Sequence, residues 1–231
     1  MRKSFTVFAI SMLSVWSLAA HAQLGGLGAL KGNKTESKDA GSVDLGAKAD
    51  KFSADAALIR EAVAYSLLQI KAAVEDKNKI AETRKAYESL KATTNPKESA
   101  AKAGTIIKDA GAEVTLALKS AETQERIKNL SPEMQKKVAA SLLAVGIASL
   151  KLPKLLEEGQ GILQGLSSNM MANMSRIGPL KDGLSSLGEA APKLPPIVSA
   201  GFQLLKNAKV DAATPTEGAE LKVDRDVTFP E

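Results

Sequence analysis

The chain contains no cysteine, one histidine (His21), one tryptophan (Trp16) and only 3% aromatic residues over 231 positions. Each scarcity removes chemistry. Without cysteine there is no disulfide, no thiolate zinc ligand, no Cys–His nucleophile and no lipidated cysteine. The histidine and the tryptophan both lie in a stretch marked for removal. Arg2 and Lys3 begin it, Phe5–Leu18 is a 14-residue run without charge, and Ala20-His21-Ala22 places small residues where a signal peptidase cuts. A basic start, a short apolar run and a small-x-small site make a secretory signal peptide, too short to anchor stably in a bilayer. Cleavage after Ala22 is expected, leaving 209 residues that start at Gln23 and contain no His, Cys or Trp. The expected location is the periplasm or the exterior.

These absences weigh against an enzyme. General acid–base catalysis near neutral pH most often uses histidine, and Ser-His-Asp triads require it. Two carboxylates suffice for a glycosidase, and Glu157 and Glu158 are the nearest pair. Adjacent positions on a helix do not face one substrate, however. The "GGLG" at residues 25–28 lacks the strand, spacing and Lys-Ser/Thr of a phosphate-cradling loop. Asp224-Arg225-Asp226 has acidic spacing but no further ligands, so it reads as solvated tail. No catalytic residue, cofactor or metal is expected. The net charge of +5 falls to +3 once Arg2 and Lys3 are removed. Those charges are spread along the chain without stacking aromatics, which argues against nucleic acid as a partner.

What the chain does have is helical periodicity. Residues 23–51 are rich in Gly, Lys, Ser and Asp, and a flexible linker is expected there. Phe52, Ile59, Val63, Leu67, Ile70 and Val74 then trace one stripe of a helix that extends less regularly through Ile80, Tyr87 and Leu90. If unbroken, it would reach about Ala92. Asn95-Pro96 and Ser131-Pro132 are helix starts, each a capping side chain followed by proline. Ala103, Ile107, Ala110, Val114, Ala117 and Ala121 form an alanine-rich seam suited to close helix packing. "VAASLLAVGIASL" at 138–150 has no charge and predicts a helix buried on all sides, with a kink or break at Pro153. Ile197, Phe202, Leu204 and Leu205 mark a short final helix, and residues 212–231 lose helical period. There Val223, Val227 and Phe229 alternate as in an extended arm.

The expected fold is all-α, an elongated bundle of three to five amphipathic helices with flexible N- and C-terminal segments. Its organisation is signal peptide 1–22, flexible linker 23–51, helical bundle 52–209 and extended C-terminal tail 210–231. The core is expected to draw on Ile59, Val63, Ile70, Ile107, Val114, Val138, Leu142 and Val145.

Residues 159–190 break the local rules. Glycines recur, Pro179 falls inside, and no charge occurs from Gly159 to Ser175. Such inconsistency is expected at working sites. Met170, Met171, Met174 and Ile177 are the candidate partner- or lipid-binding residues, since methionine surfaces accept varied apolar partners. The expected function is non-catalytic macromolecular binding in the cell envelope, as a scaffold, assembly factor or chaperone-like protein. The partner would be an envelope protein or a second copy of the chain in a homo-oligomer. The alternative is a membrane- or lipid-interacting protein, pore-forming or toxin-like, that uses 138–175 as a hairpin.

Overall fold

The computed structural model describes residues 38–76, 78–168 and 170–230, with side chains from residue 44 onward. Among them are seven α-helices and no strand: α1 (Lys38–Val74), α2 (Ile80–Lys91), α3 (Pro96–Ala117), α4 (Ala121–Lys128), α5 (Pro132–Ser167), α6 (Met170–Ala190) and α7 (Leu194–Ala208). A 3-10 turn at Ala191–Lys193 joins the last two. The signal peptide and residues 23–37 of the linker lie outside the described residues. The rest of that linker, residues 38–51, belongs to α1.

The protein is thus all-helical, with seven helical segments where three to five were expected. The difference comes from two interruptions. "EDKNK" at 75–79 has no apolar residue, so nothing rewards continuing α1, and the chain turns. Arg126 Nη1 caps the end by donating to the Val74 carbonyl at 2.9 Å, and Thr83 Oγ1 donates to Glu75 at 2.5 Å. The second break follows Ala117. The Ser120 hydroxyl accepts from the Thr123 amide at 3.0 Å and starts α4, so Ala121 opens a new helix and does not extend the α3 seam. The two starts read from sequence are built as expected. Asn95 accepts from the Lys97 and Glu98 amides, and Ser131 accepts from that of Met134.

All eight expected core residues are buried. The helix surrounded by others is nevertheless α1, which packs on α5, α3 and α6. From Ala62 to Ile70 every one of its residues is buried. Ala62, Ala64, Ala72 and Ala73 let neighbours approach on several sides. Its buried Gln69 is paired: Nε2 reaches Met134 Sδ at 3.2 Å and the Thr228 carbonyl at 3.1 Å, while Oε1 accepts from the Thr228 amide at 2.8 Å. Residues 138–150 pack on α1 and α7 but keep an exposed edge at Ala140 and Leu150.

Pro153 does not interrupt α5, which runs through it to Ser167. A proline removes the bond to the carbonyl four residues back, here that of Ser149. Pro153 stands on an exposed face, where water can take that carbonyl. Pro179 in α6 sits the same way behind exposed Ser175.

The C-terminal tail, expected to be poorly ordered, is an extended strap fixed to the bundle. Leu221 is buried, and Val223, Val227 and Phe229 pack on the core. The Phe229 ring lies 5.8 Å from that of Tyr87 and under the Arg84 guanidinium at 4.5 Å. Arg225 donates to Glu61 at 2.7 Å, and Lys137 reaches the Asp226 carbonyl at 3.0 Å and Asp224 at 3.4 Å. Lys137 thus meets the Asp224 carboxylate and the Asp226 backbone, and the Asp226 carboxylate lies 3.9 Å from Lys91.

Candidate functional site

Residues 159–167 and 170–190 form the last turns of α5 and all of α6, an antiparallel helix pair set against the first half of α1. The glycines have two different roles. A Cβ at Gly159 would run into the Phe52 ring and come within 2.8 Å of Leu184, and one at Gly183 would lie 3.1 Å from the same ring. Gly165 likewise receives Leu45, whose Cδ1 would be 2.9 Å from an added Cβ. Phe52, 2% exposed, is thus a wedge from α1 held between glycines of α5 and α6. These glycines let backbones approach closely and mark packing. At Gly161, Gly178 and Gly188 an added Cβ would meet open space.

The four candidate binding residues separate. Ile177 is buried and belongs to the core cluster. Met170, Met171 and Met174 are 54%, 90% and 66% exposed. Asn173, Ile177, Leu180 and Leu187 form the buried stripe of α6. Met170 continues that stripe by spacing, three residues before Asn173, but at the start of the helix it is exposed together with Met171 and Met174. Arg176 fixes the helix alongside α1 through two contacts to the Asp50 carboxylate, at 3.2 and 3.3 Å. Near the connection, Asn173 Nδ2 donates to the Leu166 carbonyl at 3.4 Å.

Six large apolar side chains are exposed among the described residues: Leu58, Leu116, Leu150 and the three methionines. Half of them therefore fall within five consecutive positions at the start of α6. With no charged residue between Gly159 and Ser175, this surface is apolar without a charged rim from its own segment. It can bury thioether surface against another apolar face, and it offers no acid, base or nucleophile.

Elsewhere, Glu157 and Glu158 are both exposed. Among the described residues no three His, Asp or Glu side chains gather as ligands for a metal ion. A groove of about 590 Å³ runs beside Arg60, Tyr65, Lys91 and Arg225. Its residues come from α1, the end of α2, the α2–α3 connection, the start of α3 and the C-terminal strap, which sequence periodicity does not bring together. The one signal was Arg60 itself, a cation inside a helix whose following turns are apolar.

No protein-family model matches the chain, and neither any curated protein nor any solved structure does. Fold and surface define an all-helical protein with an exposed thioether patch.

Proposed function

We propose that the chain is an exported, non-catalytic helical protein of the cell envelope that binds another protein through Met170, Met171 and Met174. The observation that carries this reading is their joint exposure on a helix whose Ile177, Leu180 and Leu187 are buried. Unbranched thioether side chains adapt to varied apolar contours and suit a partner surface without being needed for packing. The lipid reading has less support. Helices that lie on membranes carry a cationic face beside the apolar one, whereas this segment has no charge until Arg176, which is bonded to Asp50. Residues Pro132–Ser167 are long and apolar enough to cross a membrane, but half of that apolar window is buried. Withdrawing it as a hairpin would remove Val138, Leu142, Val145 and Leu152 from the core.

The test places a photocrosslinking side chain at Met171 in the exported protein, with and without Met170→Gln and Met174→Gln. A discrete protein adduct that both substitutions abolish, with helicity and melting temperature unchanged, is the expected result. Unfolding by the same substitutions would return the methionines to a structural role. Methionine-dependent flotation with phosphatidylethanolamine–phosphatidylglycerol vesicles, without a protein adduct, would assign the surface to lipid and overturn the proposal.

A further inference from the structure

A second site stands apart from the methionine surface and does not depend on it. Arg60 leaves α1 just before its continuously buried run from Ala62 to Ile70. Its Nη1 donates to Ser186 on α6 at 2.9 Å. Its Nε–H is buried and meets no acceptor among the described residues. No carboxylate lies within ion-pair distance of it there; burial pushes the guanidinium below its ordinary value, opposed only by the field of Asp182. A half-buried arginine without a carboxylate is costly to keep charged, and an arriving anion would offset that cost.

Arg60 also borders two openings. One is the 590 Å³ groove, where it is joined by Lys91, Arg225, Tyr65, Thr93, Thr94 and Ser99. The other, about 200 Å³, adds Lys108, Lys193, Thr105 and Ser186 against the single carboxylate of Glu189. In the larger groove Glu61 is likewise the only carboxylate facing three cations. Glu61 is engaged by Arg225 Nε, and Lys91 lies 3.9 Å from exposed Asp226, a loose pairing. Tyr65 is pushed above its ordinary value, first by burial and then by Glu61, so its hydroxyl keeps its proton as a donor. The remaining walls are Ala57, Leu90, Pro96, Ala100 and Ala103, which are apolar or small. The volume falls in the range of small-molecule sites, and the mix of apolar wall and convergent polar groups is the usual make-up of one.

We propose that this groove binds a phosphate monoester carrying an apolar tail, with Arg60, Arg225 and Lys91 around the phosphate and Ala57, Pro96 and Ala100 against the tail. A phosphate monoester brings a charge of about −1.5 to −2 and three acceptor oxygens, and guanidinium forks match such oxygens in pairs. The excess of two cations over carboxylates in the groove suits that charge. The phosphate could belong to a lipid or to a soluble ester, and the test separates them.

Titration calorimetry on the full mature chain uses dodecyl phosphate below its micelle threshold, inorganic phosphate, dodecyl maltoside and vesicles containing phosphatidic acid. Dodecyl phosphate should bind, inorganic phosphate should bind at least about tenfold more weakly for want of tail burial, and dodecyl maltoside should not bind. Arg225→Gln and Lys91→Gln change exposed side chains, so folding should survive. Each should weaken dodecyl phosphate by about tenfold, the usual scale of one charge-assisted contact. Arg60→Lys, which keeps charge but loses the fork, should weaken it as well. Binding to vesicles that the same substitutions weaken assigns the phosphate to lipid; vesicles that fail while dodecyl phosphate binds assign it to a soluble ester. Equal affinity for dodecyl phosphate and dodecyl maltoside, or affinity unaffected by Arg225→Gln and Lys91→Gln, would overturn the proposal.

Discussion

Leu142 and Gly201 form a size-matched pair whose coupling can be calculated before it is measured. Leu142 on α5 is 0% exposed. A Cβ added at Gly201 on α7 would overlap its Cδ2 and lie 2.8 Å from Cδ1 and 3.1 Å from Cγ. Leu142→Ala should therefore cost about 2–5 kcal/mol through lost burial and a residual cavity. Gly201→Ala should gain about 1 kcal/mol of helix propensity and lose about 1–3 kcal/mol to overpacking, for a net destabilisation. In the double substitution the obstacle is gone, because the three nearest atoms all belong to the Leu142 side chain beyond its Cβ. The new methyl then fills part of the cavity, so the double variant should be about 1 kcal/mol or more stabler than Leu142→Ala alone. That amounts to a coupling of about 1–3 kcal/mol, above the scatter of additive pairs. Urea unfolding followed by helical circular dichroism would read it as shifts in midpoint at constant slope. Simple additivity, or a cost near zero for Leu142→Ala, would refute the packing of α7 on α5 described above.

Three further outcomes follow from named contacts. Mild peroxide should oxidise Met170, Met171 and Met174 well before Met134, which is 4% exposed and hydrogen-bonded to Gln69, as peptide mass mapping over time would show. Truncation after Ala219 removes buried Leu221 and the paired bonds between Thr228 and Gln69. Denaturant unfolding should register a loss of about 2–5 kcal/mol from burial and hydrogen bonds together. Lys209 holds a left-handed conformation, φ 59°, at the end of α7. Lys209→Gly should raise stability there by up to about 1 kcal/mol in the same assay. For export, N-terminal sequencing of the protein recovered from outside the cytoplasm should return Gln23, and Met1 on a cytosolic protein would end that proposal.

Helix starts and the core were legible because both rest on local signals. Asn95 and Ser131 cap as their neighbours in sequence require, and the stripes through Ile59, Ile107 and Val138 point inward. What local signals could not convey was competition between elements. The proline at 153 reads as a kink or a break, and that the helix runs on is understood only once the exposed face it occupies is known. The tail reads as loose until Gln69, an odd polar residue inside a buried run, is seen to be waiting for Thr228. Buried glutamine amid alanine and leucine was the clue that something must come to meet it, since an unmet amide there would be costly.

The candidate surface divided for a related reason. Glycine, methionine and proline between 159 and 190 looked like one irregularity, yet the fold assigns them separate roles. Gly159 and Gly183 admit Phe52, a packing function that a one-dimensional pattern cannot distinguish from mobility. Ile177 is buried with Leu180, three residues on, while Met170, Met171 and Met174 at the start of α6 are exposed. By the step of about 100° per residue Met170 and Met174 lie on the side of α6 that carries Ile177, yet at the start of the helix they are exposed while Ile177 is buried. The exposed methionines thus remain without a structural task among the described residues, which is why the proposed partner is placed there and not across the whole glycine-rich stretch.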